Sequence, residues 1–160
     1  MGNNNSVENA VCVIQSNSIQ GVIRFRKYYD KTIIIGKIIG LKPNQEHAIH
    51  IHECGDLTKG CESACAHYNP YGMNHGGPNS YERHVGDLGN IKADSDGVGE
   101  FRIVDNLVQL NGPYNVIGRS VVIHEDIDDF GLGGHSDSLT TGHAGKRIGC
   151  GVIGIASSQK

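Results

Sequence analysis

The sequence lacks several features that mark common functional classes. It has no tryptophan in 160 residues, and aromatic residues make up 6% of it. No run of about 18 apolar residues is present, which argues against a membrane-spanning helix. The formal net charge of -3 leaves no basic excess of the kind that binds nucleic acid. We therefore expect neither nucleic acid nor a membrane among its partners.

The cysteines are few, and none of them forms a C-x-x-C pair. An odd count leaves at least one thiol free unless chains are cross-linked, and the cysteines are Cys12, Cys54, Cys61, Cys65 and Cys150. The first residues, MGNNNSVENA, have neither the basic start nor the apolar stretch of a secretory signal. A protein of the cytoplasm, or of a host cytoplasm, is the simplest interpretation, and the default there is no disulfide.

The N-terminus allows two interpretations, of which a lipid anchor is the weaker. Met1-Gly2-x-x-x-Ser6 matches the pattern for N-myristoylation of Gly2. No polybasic patch or nearby exposed cysteine offers the second anchor that stable attachment to a membrane needs. We expect residues 1–9 to form a flexible polar tail on a single domain that spans residues 1–160.

What the sequence does contain is a series of short strand patterns with turn residues between them. Asp94 to Gly97 has a hairpin-turn composition, because Gly97 can adopt a positive φ. Strands of this length and spacing predict an all-β antiparallel sandwich or barrel without a long helix. The predicted strands are Val11–Ile14, Gly21–Arg26, Thr32–Ile39, Ala48–Glu53, Gly99–Val104, Leu107–Leu110, Ser120–His124 and Gly151–Ile155.

Two long stretches do not fit the strand pattern. Residues 54–87 are rich in Gly, Pro and Asn, and residues 126–146 carry several glycines. Loops of this length in a compact domain are usually functional or disordered. The first stretch contains metal-ligand residues, which gives it a reason to be ordered.

Metal-ligand residues occur along the chain in one extended pattern. Six imidazoles and one carboxylate are more than one four-coordinate metal can use, but they fit two neighbouring metals that share an imidazole. All-nitrogen and nitrogen-plus-carboxylate ligand sets suit copper and zinc and not calcium or magnesium. Strand alternation places His50 and His52 on one face, opposite core residues Ile49 and Ile51. The pattern is His50-x-His52, His67, His75, His84-x-x-Asp87 and His124.

These residues lie within longer motifs that resemble the copper/zinc superoxide dismutases. The motifs are HIHECGD, GCESACAHYNP, HGGP, RHVGDLGN, VVIHEDIDDFG and TGHAGKRIGCGVIGIA, and the resemblance extends from Val11 to Ala156. It implies a Greek-key antiparallel sandwich or flattened barrel of about eight strands. It also implies two long functional loops, one that binds metal and one that is glycine-rich and electrostatic.

The resemblance assigns roles residue by residue. Asp128 would link His50 to His75, Arg147 would attract and orient an anionic substrate, and Thr141 would line the opposite wall of the channel. Cys61 and Cys150 would form a disulfide despite the cytoplasmic default, which leaves Cys54, Cys65 and Cys12 as the expected free thiols. The implied copper ligands are His50, His52, His67 and His124, and the implied zinc ligands are His67, His75, His84 and Asp87.

The activity that the resemblance implies is the disproportionation of superoxide to oxygen and hydrogen peroxide. Copper would change oxidation state, and His67 would bridge it to a structural zinc. A homodimer is expected through the segments near Cys54–Gly55 and Ile117–Gly118 and the C-terminal strand, which carries Val152 and Ile155. A copper-loading chaperone is a further partner that the resemblance allows.

The glycine-rich loop departs from the family pattern. Thr140 stands where animal relatives often have a lysine, which leaves the strength of substrate steering open. His135 and His143 are extra histidines, which we expect to face solvent.

Two other functional classes compete with the enzyme. A copper-delivery or buffer module on the same sandwich usually loses copper ligands and carries a C-x-x-C domain, and this chain shows neither feature. An immunoglobulin-like binding sandwich would bind no stoichiometric metal. The complete ligand set favours the enzyme.

Overall fold

Antiparallel strands make up nearly all of the regular structure. This computed structural model describes residues 5–157, and within that range it contains nine strands, one short α-helix and one 3-10 turn. No helix in that range is long and apolar enough to cross a membrane. The strands are β1 Asn9–Gln15, β2 Gln20–Tyr28, β3 Lys31–Ile39, β4 Glu46–His52, β5 Thr58–Cys61, β6 Asp87–Lys92, β7 Gly99–Asp105, β8 Ser120–His124 and β9 Arg147–Ile155; the helix α1 is Ser138–Thr141, and the 3-10 turn is Glu62–Ala64.

Eight of these strands form one sheet that curls into a nearly closed barrel. Its order is β6-β4-β8-β9-β1-β2-β3-β7, so the chain crosses between non-sequential neighbours, as Greek-key folds do. The two edge strands, β6 and β7, meet at an isolated bridge between Ala93 and Gly99. Between these residues lies the predicted turn, in which Gly97 has φ +76° and its N–H donates to the Asp94 carbonyl at 3.1 Å. The all-β Greek-key prediction is confirmed.

Alternation of apolar and polar residues decides which face of each strand is buried. In β1 and β2 the side chains of Cys12, Ile14, Ile23 and Phe25 are at most 1% exposed, while residues between them face solvent. β-Branched side chains suit such a half-buried pleated surface. These strands form the part of the barrel that carries no metal-ligand residues.

β4 and β8 differ, because both of their faces are buried. Ile49 and Ile51 are fully buried in the apolar core, and the alternation places His50 and His52 on the opposite face. β8 pairs with β4, with Ile49 opposite Ile123, and it ends at His124. The predicted arrangement of His50 and His52 is confirmed.

One predicted strand is wrong, and two strands were not predicted. Residues 107–110 form an irregular segment with bends at 107 and 110, because the Asp105 carboxylate accepts the backbone N–H groups of Leu107 and Val108 at 2.9 Å each. Those N–H groups are then not available to a sheet. Strand β6 was missed because its sequence, DLGNIK, contains Asp, Gly and Asn, which are rare in strands. The short strand β5 lies inside the stretch that we predicted as loop.

The cysteine pairing corrects one expectation. Cys61 is bonded to Cys150, but Cys54 and Cys65 are not free thiols, because they form a second disulfide with Cα atoms 5.5 Å apart. Sequence alone does not give the pairing of cysteines. Among the described residues, the buried Cys12 carries the free thiol.

At the N-terminal end, the structure describes the chain from residue 5 onwards. β1 begins at Asn9, and Val7 exchanges two hydrogen bonds with the Asn111 side-chain amide, at 2.7 and 2.9 Å. Gly2, at which the sequence pattern places N-myristoylation, lies outside the described residues.

Candidate metal centre

Two strand ends and one loop bring four imidazoles together. β4 supplies two of them, β8 supplies one at its last residue, and the loop after β5 supplies the fourth. That loop is tied to β4 by an isolated antiparallel bridge between His52 and His67. One ligand nitrogen of each lies within 4.8 Å of the others, close to the span of one ion with metal–nitrogen bonds of about 2.0–2.1 Å. This first ligand group is His50, His52, His67 and His124.

Backbone carbonyls fix the tautomers of two of these rings. The Nδ1–H of His52 donates to the Cys65 carbonyl at 2.9 Å, and the Nδ1–H of His124 donates to the Gly145 carbonyl at 3.2 Å. A carbonyl can only accept, so each Nε2 keeps an unprotonated lone pair. The two Nε2 atoms face each other at 3.4 Å. Two facing lone pairs repel each other unless a cation lies between them, so the arrangement fits a bound metal.

The other two rings of the first group also point an unpaired nitrogen inward. His50 Nδ1 and His67 Nε2 are buried, and neither has a hydrogen-bond partner among the described residues. A buried polar atom without a partner costs free energy. A metal ion would satisfy both atoms at once.

A second ligand group surrounds one oxygen of Asp87. Asp87 Oδ1 lies 2.9 Å from His75 Nδ1, 3.0 Å from His67 Nδ1 and 3.3 Å from His84 Nδ1. Its Oδ2 accepts the backbone N–H groups of Gly76 and His84 at 3.0 and 2.8 Å, which fixes the carboxylate. Three imidazole nitrogens around one carboxylate oxygen match the donor set of a tetrahedral zinc site.

His67 belongs to both groups and therefore joins them. Its Nδ1 faces Asp87 in the second group, and its Nε2 points into the first group. Its ring centroid lies 3.9 Å from that of His50. Both nitrogens of one imidazole can bind metal once the ring has lost both N–H protons, so this geometry fits two metals that share a ligand.

Asp128 connects the two groups through the ring nitrogens of His50 and His75 that point away from the ligand positions. Its Oδ2 accepts from His50 Nε2 at 2.6 Å, and its Oδ1 accepts from His75 Nε2 at 2.7 Å. The Asp128 side chain is buried, and its backbone N–H donates to Asn90 Oδ1 at 2.7 Å. A carboxylate in this position fixes the tautomer and orientation of both rings.

Burial keeps the imidazoles of the first group neutral. It is the largest cause that lowers the pKa of His50 well below its ordinary value, that of His52 to about 2 and that of His124 to about 4. The proximity of other imidazoles, His67 above all, lowers these pKa values further. Neutral imidazole is the form that binds a metal, so protons compete weakly at this site.

The second group has the opposite electrostatic character. Burial alone would lower the pKa of His75, but hydrogen bonds to Asp128 and Asp87 outweigh it and raise this pKa to about 9. Burial alone would raise the pKa of Asp87, but hydrogen bonds from His67, His75 and His84 outweigh it and hold this pKa far below its ordinary value. The carboxylate therefore stays charged and attracts a cation.

Arg147 lies next to the first group. It begins β9, and its Nη1 and Nη2 donate to the carbonyls of Cys61 and Cys65 at 2.8 Å each. The Cys65 carbonyl also accepts from His52, so the guanidinium lies near that ring, and its charge contributes to the lowered pKa values of His52 and His124. Among the described residues no carboxylate forms a salt bridge with it, so its charge is available to an anion.

The helix α1 holds Thr141, which is exposed. Thr141 Oγ1 donates within its own loop, to the Asp137 carbonyl at 3.2 Å and to Asp137 Oδ2 at 3.1 Å. Asp137 also accepts from His143 at 2.7 Å. The rings of His135 and His143 stack with centroids 3.7 Å apart, and both residues are exposed, as expected.

Four supporting residues were not singled out in the sequence. Buried Arg83 donates to Asp105 Oδ2 at 2.7 Å and to the carbonyls of Pro78, His84 and Val85, which fixes the loop that carries the second group. His47 Nδ1–H donates to the His124 carbonyl at 3.1 Å. The Asn90 side chain accepts the backbone N–H of Asp128, and the Asp137 carboxylate accepts the hydroxyl of Thr141. Only the position of Arg83, directly before His84, offered a signal in the sequence.

The barrel and its two joined ligand groups define a class of protein, a dinuclear metalloprotein with one all-nitrogen site and one site that includes a carboxylate. A comparison with known protein families gives a match to one family over most of the chain. The family model for copper/zinc superoxide dismutase (SODC) matches residues 19–153. The chain belongs to the copper/zinc superoxide dismutase family, an oxidoreductase family whose cofactors are copper and zinc.

Individual relatives agree with this assignment. "Superoxide dismutase [Cu-Zn]" of Paramecium bursaria Chlorella virus 1 is 53% identical over 150 residues, which cover 94% of this chain and 80% of that protein. "Superoxide dismutase [Cu-Zn] 5" of Dictyostelium discoideum is 47% identical over 92% of this chain and 97% of that protein. The crystal structure of the clock protein EA4 superposes with a TM-score of 0.94 at 43% identity, covering 98% of this chain and 99% of that one.

Proposed function

We propose that this chain disproportionates superoxide at a copper site next to a zinc site. The observation that carries the proposal is His67, whose two ring nitrogens point into two different ligand groups. An all-imidazole set suits copper, and a set of three imidazoles and a carboxylate suits zinc. The proposed copper ligands are His50, His52, His67 and His124, and the proposed zinc ligands are His67, His75, His84 and Asp87.

The residues around the two groups have separate tasks in this proposal. Bound copper would supply the one-electron redox change, and bound zinc would fix His67 and the loop around it. The guanidinium of Arg147 attracts superoxide and orients it, because a planar cation can hold a small anion in one place. Thr141 lines the opposite wall of the channel. When it is not bound to copper, His67 Nε2 can hold a proton and give it to the peroxide product, because no other hydrogen-bond partner among the described residues occupies it.

The experiment measures superoxide consumption on protein whose copper and zinc content is counted in the same sample. We expect fast consumption with about one copper and one zinc per chain, the ratio that two four-ligand groups give. His124→Ala should abolish consumption and lower the copper content. His135→Ala is the matched control, since His135 is exposed and outside both groups. Full metal content without activity would refute the enzyme and leave a metal buffer.

We also propose that the protein forms a homodimer. Val152 and Ile155 on β9 are 41% and 66% exposed. Neighbouring segments adjoin them: Gly118 N–H donates to the Ile153 carbonyl at 2.8 Å, and a Cβ added at Gly55 would lie 3.5 Å from Val152 Cγ1. An apolar patch made of these segments would pair with the same patch of a second copy across a twofold axis, as the interface of a symmetric dimer does.

The dimer is tested by the mass of the protein in solution. Val152→Glu should yield monomers, because it places a charge in the centre of the proposed contact. Ile35→Glu is the control, because Ile35 is 51% exposed on β3, in a different part of the sheet. A parent protein that has the mass of one chain at micromolar concentration would refute the proposal.

Three further expectations remain proposals: a single domain across residues 1–160, a location in the cytoplasm or a host cytoplasm, and a copper-loading chaperone as partner. Loading of copper into the zinc-bound protein, with and without a copper chaperone, tests the last of these.

A further inference from the structure

One carbonyl oxygen holds two residues of the proposed site. The Cys65 oxygen accepts the Nδ1–H of His52 at 2.9 Å and an Nη2–H of Arg147 at 2.8 Å. The first bond fixes which nitrogen of His52 faces the metal, and the second fixes one corner of the guanidinium. A carbonyl oxygen has two lone pairs, and both are used here. A shift of this single atom would disturb both residues.

The backbone of Cys65 has a conformation that its side chain disfavours. Its φ is +70° and its ψ is -156°. A Cβ atom clashes with the backbone in this region, which glycine enters freely and other residues enter only when their surroundings force them to. The side chain that creates this strain belongs to a cystine. The Cys54–Cys65 disulfide ties it to the residue that follows β4 by two positions.

The guanidinium of Arg147 is held on both sides by disulfide-bonded residues. Nη1 donates to the carbonyl of Cys61, which is bonded to Cys150, and Nη2 donates to the carbonyl of Cys65. Backbone hydrogen bonds from Glu53 to Ala66 and from Cys54 to Ala64, at 2.9 and 3.0 Å, flank Cys65 but do not involve its own carbonyl. The Cys54–Cys65 disulfide is therefore the covalent constraint on the residue whose oxygen orients Arg147.

We propose that the Cys54–Cys65 disulfide is a positioning element for anion binding at the copper site. It holds Cys65 at a positive φ, and the Cys65 carbonyl in turn fixes Arg147 and the tautomer of His52. The inference rests on the proposed function, in which Arg147 binds the anion. Without the disulfide, the Cys65 backbone relaxes towards negative φ and its carbonyl leaves the two donors.

Two double variants separate positioning from simple stabilisation. Cys54→Ala/Cys65→Gly and Cys54→Ala/Cys65→Ala both lack this disulfide and keep the Cys61–Cys150 bond. Glycine adopts φ +70° without strain and should keep the carbonyl in place, whereas alanine is strained there in the same way as cysteine. The two variants therefore differ in the position of one oxygen and not in their number of disulfides.

The main readout is azide binding to the copper-loaded protein, followed by absorbance. The Ala variant should bind azide roughly three- to tenfold more weakly than the parent, the loss expected for a disordered charge-assisted contact. The Gly variant should stay within about twofold of the parent. Equal affinity of the parent and the Ala variant, or equally weak binding by both variants, would overturn the proposal.

Two controls keep the test decisive. In metal-free protein, NMR should show the His52 Nδ1–H resonance in the parent and the Gly variant, and faster exchange of this proton with water in the Ala variant. Arg147→Ala tests the proposed function separately. If this variant binds azide as tightly as the parent, the proposed role of Arg147 in anion binding is wrong. The His52 resonance then still decides whether the disulfide positions the Cys65 carbonyl. Mass spectrometry confirms the Cys61–Cys150 bond in each variant.

Discussion

Whether an imidazole binds a metal or a proton depends on which nitrogen faces inward and on how deeply the ring is buried. In the first group the outward nitrogens donate to fixed oxygens, of Cys65 for His52 and of Gly145 for His124. The inward nitrogens therefore carry lone pairs before any metal arrives. Burial lowers the pKa values of these rings, so the lone pairs stay free at neutral pH. The residues around the ligands thus prepare the site as much as the ligands do.

Asp128→Asn tests this preparation at a single residue. His50 and His75 donate to different oxygens of Asp128, and Asn replaces one of these oxygens with an NH2 group that can only donate, so one ring loses its acceptor. We expect metal affinity to fall by about 10- to 100-fold, the usual cost of losing such a partner. Competition with a chelator, followed by metal analysis, measures it. Asp126→Asn is the control, because it changes the same charge at an exposed position; an equal loss in both variants would contradict the role of Asp128.

Cys12 gives a second test at the residue scale. Burial raises the pKa of the Cys12 thiol to about 12. The fold therefore favours the thiol over the thiolate, and this contribution to stability is complete below the ordinary pKa of about 8.5 and is lost as the pH rises towards 12. At pH 8.5 we expect iodoacetamide to modify Cys12 slowly in the native protein and quickly in denaturant. Mass spectrometry measures the label, and fast modification of folded protein would contradict the burial.

At the scale of strands and loops, the sequence predicted well wherever a local pattern determined the outcome. Ser120–His124 was predicted with the observed bounds, because its three consecutive buried β-branched residues, Val121 to Ile123, strongly favour a strand. Residues 107–110 have the same apolar character, but Asp105 captures two of their backbone N–H groups, and Arg83 holds Asp105 in turn. That outcome depends on a contact between distant segments, which no local pattern contains.

The same distinction applies to the site. The histidine spacing predicted seven candidate ligands, and the structure brings these side chains together in two groups. The sequence did not predict the supporting roles of Asn90 and Arg83, whose hydrogen-bond partners Asp128 and Asp105 lie 38 and 22 residues away. The sequence also did not predict the Cys54–Cys65 disulfide, because five cysteines allow several different pairings.

Arg83→Ala tests the loop that carries the second group. The variant leaves Asp105 as a buried carboxylate without its cation, although two backbone N–H groups remain. Breaking a buried pair in this way costs about 3–5 kcal/mol. We expect the free energy of unfolding in urea to fall by an amount of that order. Arg102→Ala, at an exposed position of β7, should change it by less than about 0.5 kcal/mol. Equal stability of the two variants would exclude the proposed anchoring.

At the scale of the whole molecule, the barrel and the long loops are stabilised by different means. The barrel buries an apolar core between its sheet faces. The metal loop adds Tyr68 and Val85 to that core, and the Cys61–Cys150 disulfide, which links residues 89 apart, joins this loop to β9. A loop of that length is worth about 4–5 kcal/mol in the chain-entropy model. Metals bound at the two groups would add a second constraint, which would tie the loop after β5 to β4, β6 and β8.

Zinc should therefore stabilise the whole protein and not only its own ligands. A ligand that binds the folded state alone, at a free concentration 1,000 times its dissociation constant, contributes about 4.1 kcal/mol. For a chain of this size each kcal/mol raises Tm by about 2–4 °C, so zinc added to metal-free protein should raise it by about 8–16 °C. Calorimetry measures the increment. His75→Ala should lose most of it, because His75 lies in the second group alone, whereas His135→Ala should keep it. If zinc leaves Tm unchanged, the second group contributes nothing to folding, and the order of the loop must come from the disulfides and Arg83.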